Sequence, residues 1–347
     1  MPDAVTIAGR FDGSEAWTRT TLSPHDWTVP LPESALNELR AVLAELRRAP
    51  VPTFLLEPQD YALDQCRATM DRLRAVTQRG PMFAVLDRLP LAEMNRDEAI
   101  ALYWLLSSLL ARPVAQKLNG QMFFDVVDTG AKLKPGSGIR PTVTNVDLRF
   151  HNDNSYNEAP PEYVCLLCLH PAKSGGISQV MSVRTVHNQL RKQFPDLLPR
   201  LYRPFWYDRH AEHQPGEPST FAAPMFECAP DGAVRARLAL SEIYAGFELR
   251  GERLDNETAS ALAAVQTVFD RPELHVACRA QLRGRSDPVR QQSCDRPCPH
   301  GVRRLRRARP QAASRAAVAA RCRQARLSRL AGSPSGRLPE PSRPRRP

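Results

Sequence analysis

Residues 150–182 read FHNDNSYNEAPPEYVCLLCLHPAKSGGISQVMS and open on Phe150-His151-Asn152-Asp153. In an extended segment, side chains two positions apart point to the same side, so His151 and Asp153 share a face. An imidazole and a carboxylate placed that way can grip one metal ion from one side. They would supply two members of the two-His-one-carboxylate facial set, which leaves open positions on Fe(II). The tripeptide by itself is better served by a turn-forming His/Asp pair with ordinary hydrogen bonds, since a chain with eight histidines meets an H-x-D by chance fairly often. Pro160-Pro161 then interrupts the backbone ahead of Tyr163–Leu169, a nearly continuous apolar strand. Gly175-Gly176 makes a turn into a further strand at Ile177–Met181.

Outward from this stretch the pattern changes twice. Upstream, 122–127 and 143–150 read as strands. Before them, 34–48 sets Leu36, Leu39, Leu43 and Leu46 at helical spacing, and 61–76 and 97–111 also read as helices. The apolar run Ala99–Ala111 includes Ser107 and Ser108 and falls short of the roughly 18–20 residues a membrane crossing needs, so a buried helix is expected. Downstream, helices are expected over 184–193 and 255–269, the second capped by Asp255. The N-terminus shows no basic start followed by an apolar run, so a cytoplasmic protein is the expectation. Leading helices followed by strands imply an α+β fold with a closed or double-sheet β core. At 347 residues and 42% hydrophobic content, a collagen-like repeat, a small disulfide scaffold and a wholly disordered chain are excluded.

The segment 150–182 resembles the TauD/TfdA family of Fe(II)/2-oxoglutarate-dependent oxygenases. There, H-x-D is followed by a proline-containing loop, an apolar strand and a Gly-Gly turn ending in Ser or Thr. Here these parts are His151 and Asp153, Pro160-Pro161, Val164–Leu169, and Gly175-Gly176-Ile177-Ser178. The likeness runs from about 115 to 277. It implies a double-stranded β-helix (a jelly roll of the clavaminate synthase-like kind) with flanking helices. It also implies that His151 and Asp153 bind iron and that Ser178 contacts the cosubstrate 2-oxoglutarate. The implied activity is hydroxylation of a small-molecule C–H bond using O2, with release of succinate and CO2. The family further calls for a distal His and an Arg that pairs with the 2-oxoglutarate carboxylate, in runs resembling F-V-N-N-R-x-x-x-H-x-R-T-x-F and R-H-L-x-R-L-W-L.

Neither run appears after Ala277. Residues 278–347 carry nineteen Arg, no Lys, three acids and no Phe, Tyr or Trp. That segment's charge is +16, which leaves −5 of the total +11 to residues 1–277. Back-translated one base out of register, however, the missing runs emerge. Asp287–Cys294 then permits Ile-Gln-Phe-Val-Asn-Asn-Arg, and Asp295–Val302 permits Ala-Ile-Ala-His-Ala-Arg-Thr-Ala-Phe. Residues 311–321 permit Lys-Arg-His-Leu-Val-Arg-Leu-Trp-Leu-Arg. Most shifted codons have fixed or nearly fixed first and third letters, so agreement across two runs points to a slipped frame near Ala277–Cys278. The expected organisation is therefore an incomplete oxygenase domain over 1–277 and an out-of-frame, disordered Arg/Pro-rich tail over 278–347. With the last strands missing, unpaired sheet edges are expected to invite aggregation.

Other features yield to simpler readings. His300 lies near the place of the third iron ligand, but CPHGVRR is not the strand that would aim it. His275 suits packing, and His210-x-x-His213 suits a polar loop. Arg140 and Arg149 suit exposed positions near H-x-D, with contact to an anionic substrate the alternative. Cys165 and Cys168 would face opposite sides of a strand. The rival functional reading is a non-catalytic remnant or binding protein whose basic tail contacts nucleic acid through phosphate, although that tail has no aromatic residues for base stacking.

Overall fold

A computed structural model describes residues 7–278, apart from 8, 133, 135–136, 138, 140, 145, 147, 171–176 and 229–233, together with the backbone of 319–321. The Gly175-Gly176 turn, Arg140, His300 and nearly all of the basic tail lie outside the described residues.

Helices come first, as the apolar spacing predicts. After the single turn α1 (Pro24–Trp27) and the short strand β1 (Thr28–Pro30) comes α2 (Glu33–Arg48), which buries Ala35, Leu39, Val42 and Leu43. The next helix, α3 (Asp64–Arg79), starts three residues later than its apolar pattern suggests. Its first turn is capped from outside: the Glu38 carboxylate on α2 accepts the backbone N–H groups of Gln65 and Cys66, both at 2.8 Å. A side chain distant in sequence thus satisfies donors that a local cap would otherwise take. Strand β2 (Phe83–Asp87) runs parallel to β1, and α4 (Arg96–Leu110) follows behind the Asn95/Glu98 capping box. As expected for the Ala99–Ala111 run, α4 is buried on nearly every side.

The strands are shorter than their sequence patterns. Of Tyr163–Leu169 only β3 (Tyr163–Val164) forms, and of 177–181 only β4 (Ser178–Val180). Segment 122–127 is irregular rather than a strand, and of 143–150 Val143 ends a 3-10 turn while the other described residues are irregular. Val127 and Thr129 nevertheless donate to the carbonyls of Thr142 and Val143, each at 3.0 Å, so the two segments are joined by a fragment of ladder. A half-buried strand needs a neighbour to satisfy its second edge, and these two have none among the described residues.

Beyond β4 come α5 (Val183–Gln193), the antiparallel pair β5 (Pro204–Asp208) and β6 (Thr220–Pro224), and the pair β7 (Phe226–Cys228) and β8 (Val234–Ala236). Helix α6 (Leu240–Arg250) lies on β5, and α7 (Asn256–Phe269) starts at Asp255, whose carboxylate accepts the Thr258 N–H. Strand β9 (Val276–Cys278) pairs antiparallel with β4, placing Cys278 opposite Ser178. Strand β10 (Ala319–Arg321) lies between β2 and β3, antiparallel to both.

Two apolar cores result. One gathers α2, α3, α4 and the edge of β2; the other gathers α5, α6, α7 and strands β5–β8. A small cluster of Trp17, Phe83, Val276 and Cys278 stands apart from both. The fold is α+β. Its sheets, one of four strands and three of two, are small and not closed into a barrel among the described residues.

Candidate metal centre

The H-x-D segment is positioned by what its neighbours bury. Along 150–154 the residues alternate between half-buried and exposed, the period of an extended chain. Phe150 packs into the second core, with its ring 5.8 Å from Phe269 and 4.5 Å from His275. Asn152 is paired twice with Leu238, beyond the end of β8. Its N–H donates to the Leu238 carbonyl, and its side-chain oxygen accepts the Leu238 N–H, both at 2.9 Å. With Phe150 and Asn152 fixed on one face, His151 and Asp153 emerge on the other.

Those two side chains meet. His151 Nε2 stands 3.2 Å from Asp153 Oδ1, and His151 Nδ1 lies 2.7 Å from the Arg149 carbonyl. Burial disfavours the imidazolium, but the Asp153 carboxylate, the Arg149 carbonyl and the charge of Glu242 outweigh it, and the pKa is pushed up to about 9.

The donor set fits a divalent first-row metal. Two cis ligands, each about 2.1 Å from such an ion, stand roughly 3 Å apart, close to the separation found here. An Nδ1–H held by a backbone carbonyl fixes the ring so that Nε2 is the coordinating nitrogen, the usual arrangement around ligating histidines. The set is nevertheless only two donors: among the described residues, no group of three or more His, Cys, Asp or Glu is placed to hold a metal ion.

The other residues singled out from sequence are dispersed. Ser178 opens β4 opposite Cys278 and makes no hydrogen bond to His151 or Asp153. Arg149 is exposed and donates to Gln266 at 2.6 Å. His275 is a packing residue, hydrogen-bonded to the Phe269 carbonyl at 2.6 Å beneath Phe150. His210 and His213 lie in a loop. His213 is half-buried, with Nδ1 3.2 Å from the Gln214 carbonyl, and His210 has a left-handed backbone, with φ of 51°.

The loop places His210 between two carboxylates, Asp208 close to it in sequence and Glu242 far from it. Its N–H donates to Asp208 Oδ1 at 2.8 Å, and its Nε2 lies 3.4 Å from Glu242 Oε1. The Tyr156 ring stands edge-on to it at 5.2 Å. Burial raises the Glu242 carboxyl, but hydrogen bonds from His210 and Ser241 and the charges of His210 and His151 lower it further, so it remains ionised. Asp208 and His210 lie two positions apart in sequence, and the packing of α6 on β5 adds Glu242. Asn152 was more accessible, because the alternation that aims His151 and Asp153 one way must aim Asn152 the other.

Comparison with known proteins follows the same direction. The profile of the taurine catabolism dioxygenase TauD, TfdA family matches residues 52–282. FR-33289 synthase of Streptomyces rubellomurinus is 24% identical over 271 residues, covering 78% of each chain. Among solved structures, the non-heme iron oxygenase OrfP in complex with Fe and alpha-ketoglutaric acid is similar at 15% identity and a TM-score of 0.47. That likeness covers 72% of this chain and 80% of that one. A putative alpha-ketoglutarate dependent 2,4-D dioxygenase from Burkholderia xenovorans is similar at 15% identity and a TM-score of 0.38, over 66% and 78% of the two chains.

Proposed function

The chain belongs to the TauD, TfdA family, and from that premise we propose that its active form is an Fe(II)- and 2-oxoglutarate-dependent oxygenase of a small-molecule substrate, impaired here by a slipped reading frame. The observation that carries the reading is the His151–Asp153 pair, with its donor atoms 3.2 Å apart on one face and its second imidazole nitrogen already held by a carbonyl. When bound, Fe(II) with 2-oxoglutarate supplies the oxidising power that turns C–H into C–OH as 2-oxoglutarate becomes succinate and CO2. His151 and Asp153 would hold the metal, and Ser178 would meet 2-oxoglutarate. Glu242 keeps a negative charge near the pair, and Phe150 packs into the core behind it.

On this reading the domain is a double-stranded β-helix over 1–277 that lacks its closing strands. The third ligand and the carboxylate-binding Arg are encoded one base out of register beyond Ala277. Two observations suit the slip: the family match stops at 282, and residues 278–347 hold no Lys and no Phe, Tyr or Trp.

Two experiments test this. Sequencing genomic DNA across codons 270–300 separates a sequencing error from a true lesion. A frame-restored chain should consume O2 in step with 2-oxoglutarate and lose that turnover on His151→Ala. Absence of both iron binding and 2-oxoglutarate turnover in the restored chain would refute the enzyme reading.

A further inference from the structure

We propose that Arg237 is a positioning residue for the metal-binding pair, its guanidinium fixing the turn that follows Asp153; the inference rests on reading His151 and Asp153 as iron ligands. After Asp153 the backbone turns through Asn154, in the left-handed region at φ 53°. Asn157 N–H closes back on the Asn154 carbonyl at 2.9 Å, and Ser155 Oγ donates to the Asn152 carbonyl at 2.7 Å. This curl brings the carbonyls of Ser155, Asn157 and Glu158 around one point. Arg237 stands at that point. Its Nη1 donates to the Ser155 and Asn157 carbonyls at 2.8 and 2.6 Å, and its Nη2 to the Glu158 carbonyl at 3.2 Å.

The anchor is itself rigid. Arg237 N–H donates to the Met225 carbonyl at 2.8 Å, the Tyr207 hydroxyl donates to the Arg237 carbonyl at 2.9 Å, and the guanidinium lies 5.3 Å from the centre of the Phe221 ring. Tyr207 and Met225 are fully buried. The next residue, Leu238, makes the double pair with Asn152. Asp153 is thus held from both sides by successive residues of one segment: Leu238 grips the residue before it, and Arg237 grips the turn after it. A planar fork with five donors can serve three carbonyls at once, whereas an ammonium of similar reach acts as a compact point charge. Residues that orient metal ligands from behind typically contribute about 10–100-fold to metal affinity.

The test uses the full chain, with Arg237→Gln and Arg237→Lys. The control is Arg200→Gln, which disturbs another buried guanidinium, bound to Thr258 and the Pro204 carbonyl. Fe(II) alone is titrated anaerobically by calorimetry, and amide hydrogen exchange is followed over 152–158. We expect Arg237→Gln to weaken Fe(II) binding about tenfold or more and to speed exchange over 155–158. Arg237→Lys should recover only part of both, and Arg200→Gln should leave both unchanged even where it lowers the melting temperature. Should Arg237→Gln not fold, the Lys variant decides the matter by the same two readouts. Unchanged Fe(II) affinity with unchanged exchange overturns the proposal, as does an equal loss of affinity in Arg200→Gln. If the parent chain binds too little Fe(II) to titrate, the same variants are compared in the frame-restored chain; no binding there fails the metal reading by itself, and exchange over 155–158 then decides whether Arg237 fixes the turn.

Discussion

At the scale of single residues, the alternation 150–154 is decisive. Phe150 and Asn152 are committed to the core and to Leu238, so His151 and Asp153 have one face left to occupy. Replacing either His151 or Asp153 by Ala should weaken Fe(II) binding by more than the roughly 10–100-fold that outer partners contribute, as read by anaerobic titration. A second residue, His187, reports on stability rather than chemistry. It is fully buried, its Nε2 lies 2.7 Å from the Tyr202 hydroxyl, and burial, then the charge of Arg191, pushes its pKa down to about 4. The unfolded chain takes up that proton near pH 6.5, the folded chain only near 4, so the unfolded state binds more protons between those values. Stability from this site is complete above pH 6.5 and falls as pH drops toward 4, by about 3 kcal/mol in total. Urea denaturation at pH 7.5 and 4.5 should show the difference in the parent and lose most of it in His187→Phe.

At the scale of elements, helices were legible and strands only partly so. Helix α7 carries both its cap and its apolar face in consecutive residues, and its observed start after Asp255 agrees with the pattern. For α3 the start depends on Glu38, twenty-six positions before the helix begins, and local spacing therefore misplaces it. Segments 122–127 and 143–150 have strand composition but no complete ladder, because pairing is a property of neighbours rather than of the segment. Helix α6 was missed altogether: it packs on β5 through Gly246, where an added Cβ would come 2.3 Å from the Trp206 carbonyl oxygen. Gly246→Ala should therefore destabilise the chain by about 1–3 kcal/mol, although Ala is the better helix former. A thermal melt would check this; an unchanged or raised Tm would mean that α6 does not pack so closely on β5.

At the scale of the whole molecule, the apolar interior comprises two cores and a small separate aromatic cluster. Phe83 on β2 is its centre, with the Trp17 and Trp27 rings 5.4 and 5.6 Å away. Phe83→Ala should cost about 3–5 kcal/mol. Urea unfolding followed by tryptophan fluorescence and by circular dichroism should then give two midpoints in place of one. The family and the two candidate ligands were legible because they lie in a contiguous motif, His151 through Ser178. The rest of such a centre was not, because a metal site closes through strands distant in sequence, and no third donor joins the pair among the described residues.

The central claim is that His151 and Asp153 are two thirds of an iron site whose remaining ligand lies one base out of register. The most direct test is Fe(II) affinity, measured anaerobically for the present chain, the frame-restored chain, and the frame-restored chain with His151→Ala. The account predicts weak binding in the first, binding at least about 100-fold tighter in the second, and loss of that gain in the third. Equal affinity in the present and restored chains, or a restored site indifferent to His151→Ala, would contradict it.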